Sequence, residues 1–269
     1  MTDKNKRDWN GGAARYSELF HTEKAIRKVL DDPKTAFHPE TWAALTTYLP
    51  GLREKRICVP SSGDNMAVFA FAALGASVTS CDFSENQLAN AERVAKQYGI
   101  ADRITFRCED TRQLRGISGG AYDLVFTSNG VHVWIDDLAG MYQNIRRILK
   151  PGGLYLMFEI HPFQRPFDDA ARVVKPYADT GPFESEYTVN FHWRLSDLVN
   201  AQLDAGLTVL RLTEMAAEVD YDNPFWIGLE DRMKGVTAAR EDVDRMHDWH
   251  VNPMAALPNW LGIASVNRN

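Results

Sequence analysis

Residues 56–84, RICVPSSGDNMAVFAFAALGASVTSCDFS, decide the fold. Arg56–Val59 is a short β-branched run, and the Pro60-Ser61-Ser62-Gly63-Asp64-Asn65 stretch behind it is rich in turn formers. Met66–Leu74 is apolar almost all round, which predicts a buried helix, and Gly75 closes it. Ser77–Cys81 reads as a second strand ending at Asp82. Strand, glycine-containing turn, buried helix and second strand make a βαβ unit, whose strands run parallel through a right-handed crossover.

The alternation continues outward. Ser84 and Gln87 have capping-box spacing, and Leu88, Ala91, Val94, Ala95 and Tyr98 carry a helix to Gly99. Ile104–Cys108 is a third strand leading into Glu109-Asp110, and Tyr122–Thr127 is a fourth leading into Ser128-Asn129-Gly130. A helix from about Asp136-Asp137 ends in Arg146, Arg147 and Lys150, the acid-first, base-last order that the helix dipole favours. Pro151-Gly152-Gly153 stops it before a fifth strand, Leu154–Ile160. Ser196 opens a helix closed by Gly206, Leu207–Leu212 is a sixth strand and Trp260–Val266 a seventh. Upstream, Ala25, Ile26, Val29 and Leu30 recur at helical spacing as far as Pro33, and another helix starts at Pro39. The expected architecture is α/β: a doubly wound, mostly parallel seven-stranded Rossmann-like sheet. Residues 1–50 are expected as a helical lid, and 51–269 as the main domain with cap insertions at about 161–186 and 215–256.

With 45% hydrophobic residues in 269, the chain has ample material for a core and is not a disordered one. Its 36 acidic against 30 basic residues leave a charge of −6, so neither nucleic acid nor an anionic membrane attracts it as a whole. The longest apolar run, Met66–Ala73, is far short of the ~18–20 residues of a membrane span, and the first dozen residues hold no apolar leader. A cytoplasmic protein is expected. Cys58, Cys81 and Cys108 show no CxxC spacing and read as buried free thiols, and no metal-ligand spacing is present.

In an open α/β sheet, ligands bind outside the carboxyl ends of the strands at the switch point. That rule selects 60–65, 82–84, 109–111, 128–134 and 161–163. Two cofactor classes suit the crevice, dinucleotides and the adenosyl group of S-adenosylmethionine (SAM). Both need a tight glycine turn after the first strand and an acid after the second. Gly63 and Asp82, nineteen residues apart, meet that need, although Asp82 also suits a helix cap. A dinucleotide wants G-x-G-x-x-G around its pyrophosphate. Only Gly63 is present, and Asp64 sets a negative charge where phosphates would lie. A sulfonium cofactor carries no phosphate.

Residues 56–160 resemble the class I SAM-dependent methyltransferase family. Asp82-Phe83-Ser84 resembles its ribose-binding motif, and Glu109-Asp110-Thr111 is similar to its adenine-contacting segment. Tyr122-Asp123-Leu124-Val125-Phe126 resembles the family's fourth strand, and Leu149-Lys150-Pro151-Gly152-Gly153 its turn before the fifth. The first motif departs: Val59 stands at the acidic position, and Ser61, Gly63 and Asn65 at the three glycine positions. The resemblance implies that Asp82 holds the ribose diol, Phe83 lies against adenine, and Asp110, beside Thr111, accepts from its exocyclic amine. It puts Ser61, Ser62, Gly63 and Ser128 at the methionine end, with Ser61, Ser62 and Asn65 replacing backbone contacts by side-chain ones. Gln87 is either a ribose contact or the partner in the capping box.

Methyl transfer to oxygen or nitrogen is helped by a base, for which His132 and His161, both at strand ends, are the candidates; the alternative for each is a structural hydrogen bond. Trp9, Tyr16 and Phe20 mark the amino-terminal segment either as a lid, with Tyr16 on the cofactor and Trp9 on the substrate, or as a docked surface helix. Asn129, Trp134 and Trp193 complete the expected substrate side. The expected activity is methyl transfer from SAM to oxygen or nitrogen of a small organic molecule. The alternative is a catalytically silent SAM-binding regulatory or partner subunit, and a nicotinamide oxidoreductase is disfavoured by the missing phosphate loop. No N-P-P-Y-type run follows the fourth strand, so a flipped nucleic-acid base is not the expected acceptor.

Overall fold

The computed structural model describes residues 3–268 apart from 169, 223 and 225. Seven strands form one sheet: β1 (Arg56–Pro60), β2 (Ser77–Asp82), β3 (Ile104–Cys108), β4 (Tyr122–Thr127), β5 (Leu149–Ile160), β6 (Thr208–Met215) and β7 (Trp260–Val266). Their order is β3-β2-β1-β4-β5-β7-β6. The first five are parallel, and β7 runs antiparallel to both β5 and β6. The order reverses between β1 and β4, so the loops after these two strands flank the switch point.

Both faces of the sheet are covered, which is why its strands alternate between two cores. Ile57, Val59, Leu124, Phe126, Leu154 and Leu156 face one layer: α2 (Glu23–Asp31), α3 (Pro39–Tyr48), α4 (Met66–Ala73) and α5 (Glu85–Gln97). Cys58, Val125, Tyr155 and Met157 face the other, where α6 (Leu138–Ile148) and α7 (Leu195–Asp204) lie. The all-apolar α4 is buried along Ala67–Ala72, as its composition requires. All three cysteines are free thiols; Cys58 and Cys81 are buried as expected, but Cys108, on the edge strand β3, is exposed.

Element boundaries shift where local chemistry differs from pattern. β5 begins at Leu149, ahead of the Pro151-Gly152-Gly153 turn, because Leu149 already pairs with Tyr122 before the register shifts. Gly153 has no room for a side chain there: a Cβ would sit 2.9 Å from Lys150 O and 3.0 Å from Tyr122 O. Ser196 does not cap α7. Arg194 does, its N–H donating to Asp197 Oδ2 at 2.9 Å. β6 extends to Met215, three residues beyond the expected end, through its pairing with β7.

α1 (Asp3–Phe20) lies across α5, fastened by polar side chains rather than by an apolar stripe. Asn10 Oδ1 accepts from Ser84 Oγ at 2.7 Å and Asn86 N at 3.1 Å, and Lys6 pairs with Glu85. The insertion after β5 reaches α1 through a two-residue hairpin, Phe183–Glu184 with Val189–Asn190. Asn5 closes that contact, donating to Val189 O at 3.0 Å and accepting from Val189 N at 2.7 Å. The second insertion carries α8 (Leu229–Met233) and α9 (Arg240–Met246) and touches α1 where Arg15 donates to Met233 O. No helix among the described residues is long and apolar enough to cross a membrane.

Candidate functional site

The loop after β1 is bound to the end of β2. Gly63 N donates to Asp82 Oδ2 at 2.7 Å and Ser84 N donates to Asp82 Oδ1 at 2.8 Å. Each carboxylate oxygen retains a lone pair for a hydroxyl donor. Burial pushes the Asp82 carboxyl up to about 6, against the pull of these N–H groups. Gly63 sits at φ 49°, and a Cβ there would first meet the Gln87 side-chain amide at 3.8 Å. The cap and ribose readings of Asp82 are therefore compatible.

The other first-motif side chains tie the loop inward. Ser61, at φ 49°, bonds Thr111 Oγ1 at 2.7 Å, and Ser62 Oγ bonds Ser80 Oγ at 2.8 Å. Asn65 caps α4 by accepting from Ala67 N at 2.8 Å, and its amide donates to Ser128 Oγ. Serines and an asparagine thus hold by side-chain bonds a turn that glycines would form by conformational freedom. None of the three points freely at a methionine moiety, in contrast to the expectation.

Asp64 is buried beneath the loop, with His21 Nδ1 at 3.5 Å from its Oδ2. With its amide nitrogen inward, Gln87 donates to Asp64 at 3.0 and 3.2 Å. That satisfies Gln87, so the capping box is half formed: Ser84 Oγ accepts from Gln87 N at 3.3 Å while Ser84 N is committed to Asp82. Burial, together with the Asp82 charge, pushes the Asp64 carboxyl up to about 8, and burial lowers His21 to about 4. Burial thus favours the neutral form of Asp64.

A raised carboxyl loses stability as pH rises from its unfolded value to its folded one, here from about 4 to about 8. Asp64→Asn mimics the protonated acid. It is expected to raise Tm by about 2–6 °C at pH 8.5, with no gain at pH 4, as thermal unfolding at the two pH values will show.

Across the switch point, Trp9 of α1 meets Trp134 edge-on at 5.5 Å and Tyr16 at 6.2 Å. Tyr16 packs on Phe20 at 4.5 Å, and its phenol is raised by burial. Trp193 donates from Nε1 to Ile135 O at 2.9 Å and stacks on Phe191. Phe83 is half-buried at the end of β2, and Asn129 is exposed after β4. Asp110 pairs with Arg112, at 2.6 Å between Oδ2 and Nη2. Burial raises its carboxyl, but Arg112 outweighs that and holds it below its usual range.

Neither candidate base is open to a substrate. His132 Nδ1 lies 2.9 Å from Glu159 Oε2 and its Nε2 2.9 Å from Tyr142 Oη, the ring being buried. His161 Nδ1 accepts from Phe163 N at 3.1 Å, capping the short turn Pro162–Gln164, and Nε2 lies 2.9 Å from Glu214 Oε1. Burial lowers His161, with Glu214 opposing. Both histidines take the structural alternative. Pattern reading passed over Glu159, His21 and Arg165. Glu159 had a legible signal, being the lone carboxylate in the apolar run Leu154–Ile160. No group of three His, Cys, Asp or Glu among the described residues is arranged to hold a metal.

A buried acid after β2, held against a glycine turn after β1, is the arrangement that open α/β sheets use at the switch point for adenosine-containing cofactors. Residues 61–153 match the family model described as "Methyltransferase domain". A sterol 24-C-methyltransferase of Gibberella zeae is 26% identical over 144 residues, 54% of this chain and 37% of that protein. A demethylmenaquinone methyltransferase of Leptospira interrogans is 31% identical over 90 residues, 34% of this chain and 36% of that one. These matches span little more than a third of each relative's length. The crystal structure of a SAM-dependent methyltransferase from Mesorhizobium loti superposes with a TM-score of 0.63 at 20% identity, covering 88% of this chain and 99% of that one. Residues 61–153 thus match a methyltransferase domain, and the chain has the fold of a SAM-dependent methyltransferase.

Proposed function

We propose that the chain transfers a methyl group from SAM to oxygen or nitrogen of a small organic molecule. The observation that carries this reading is the Asp82 carboxylate, buried at the switch point and fixed by Gly63 N and Ser84 N with lone pairs to spare. When bound there, the cofactor supplies an electrophilic methyl on a sulfonium. Asp82 would hold the ribose hydroxyls, and the 61–65 loop and Ser128 would bound the methionine end. Trp9, Trp134 and Trp193 would wall the acceptor side and exclude water; aromatic faces also favour a nearby sulfonium. With His132 and His161 committed elsewhere, the chain's contribution is in-line placement of an acceptor rather than proton removal by histidine.

One observation favours a second reading, the silent SAM-binding subunit: Ser61, Asn65, Asp110, His132 and His161 are all paired within the protein. Incubation with methyl-labelled SAM and a panel of phenols, acids and amines separates the two. Label in an acceptor with matching S-adenosylhomocysteine release supports transfer. Cofactor binding without release over the whole panel overturns it in favour of the silent subunit.

A further inference from the structure

Arg165 lies just beyond the turn that follows β5, on the acceptor side of the switch point. It lines a cavity of about 20 Å³ with His132, Val133, Glu159, Pro162, Phe191 and Trp193. The polar groups of that wall are committed. Glu159 accepts from Gly130 N, Val131 N, His132 N, His132 Nδ1 and Ile160 N, and His132 Nε2 meets Tyr142. The guanidinium of Arg165 has no hydrogen-bond or ion-pair partner among the described residues, although burial disfavours its charge and Glu159 only partly offsets this. The nearby cation, Lys175, is engaged: it donates to Asp179 O at 2.7 Å and stands over the Phe183 ring at 5.1 Å.

We propose that Arg165 is a binding residue for the acceptor, holding the carboxylate of a small, flat organic acid whose body lies against Trp193 and Phe191. The inference rests on the methyl-transfer reading and names its substrate class. A guanidinium without a partner in a half-buried site is stabilised by a ligand anion, and its planar fork matches a carboxylate two-to-two. The cavity has room for about one water-sized group, so it takes a headgroup and not a whole substrate. Phe191 and Trp193 lie parallel within 10°, with ring centroids 5.8 Å apart, and offer a flat apolar wall beside the charge.

The test uses the full chain with S-adenosylhomocysteine bound and follows tryptophan fluorescence. The probes are the three hydroxybenzoates, the matching hydroxybenzamides and phenyl phosphate. The wild type is expected to bind at least one hydroxybenzoate at least tenfold more tightly than its amide. Arg165→Gln is expected to lose that preference, and Arg165→Lys to keep part of it. S-adenosylhomocysteine affinity and Tm should stay as in wild type, which separates recognition from folding. The proposal is overturned if Arg165→Gln retains the preference for acid over amide, if no hydroxybenzoate binds, or if phenyl phosphate binds more tightly than every acid. In those cases intact S-adenosylhomocysteine binding leaves the methyl-transfer reading standing. Failure of the wild type to bind S-adenosylhomocysteine overturns both.

Discussion

Asp82→Ala is expected to weaken S-adenosylhomocysteine binding by at least 100-fold in calorimetric titration. A carboxylate accepting from two ribose hydroxyls makes two charge-assisted bonds, each contributing roughly 1.5–3 kcal/mol. Alanine removes both, and it also frees the Gly63 and Ser84 N–H groups that the carboxylate now fixes. The pH dependence gives a second check. With the free carboxyl titrating near 6, ligand hydroxyls favour its ionised form. Affinity should then be level above pH 6 and fall as pH drops through that value, with proton release on binding near pH 6. Asp82→Asn keeps the shape without the charge; it should bind between wild type and alanine and lose the pH slope. Unchanged affinity in the alanine variant would reduce Asp82 to a loop cap.

The sheet was legible because its signals are local and repeated. Short β-branched and apolar runs, the Ser84–Gln87 cap spacing, Pro39 at a first turn and the Pro151-Gly152-Gly153 stop each act within a few residues. In a doubly wound sheet ligands lie outside the carboxyl ends of the strands, so Gly63 and Asp82 stand out from the sequence alone, whereas the strand order does not. The partners of the histidines were not legible. His132 meets Glu159 across 27 residues and His161 meets Glu214 across 53, and nothing in local pattern couples such distant positions. The same limit hid His21, which comes under the Asp64 loop only because α1 crosses α5 and turns back into α2. Ser61 and Asn65 show the intermediate case. Their replacement of glycine was visible at once, but whether their side chains face cofactor or protein depends on Thr111 and Ser128, brought close by the sheet.

Glu159→Ala is expected to be strongly destabilising, costing about 3–5 kcal/mol, or roughly 10 °C in Tm. The buried carboxylate stands near the end of β5 and gathers the loop after β4. Gly130, Val131, His132 and Ile160 donate their backbone N–H groups to it at 2.6–3.0 Å, and His132 adds Nδ1 at 2.9 Å. Burial raises such a group, yet the His132 hydrogen bond and charge and the surrounding N–H groups hold it below its ordinary range. Deleting it leaves several buried donors without an acceptor, and each such orphan costs about 1–3 kcal/mol. Glu159→Gln should recover less than half of the loss. Both carboxylate oxygens accept from N–H groups, so an amide turns its own donor toward donors whichever way it lies. A lowered carboxyl contributes stability that is complete above its ordinary value of 4.5 and lost as pH falls through the folded value. The gap between wild type and variant should thus be full at pH 7 and shrink as pH falls below 4.5, by thermal or urea unfolding. A constant gap across that range would mean that the cost comes from the cavity left behind and not from the charge. Because Gly130–His132 borders the crevice beside Trp134, the same variant should also weaken S-adenosylhomocysteine binding, although Glu159 touches none of the residues assigned to the adenosyl group.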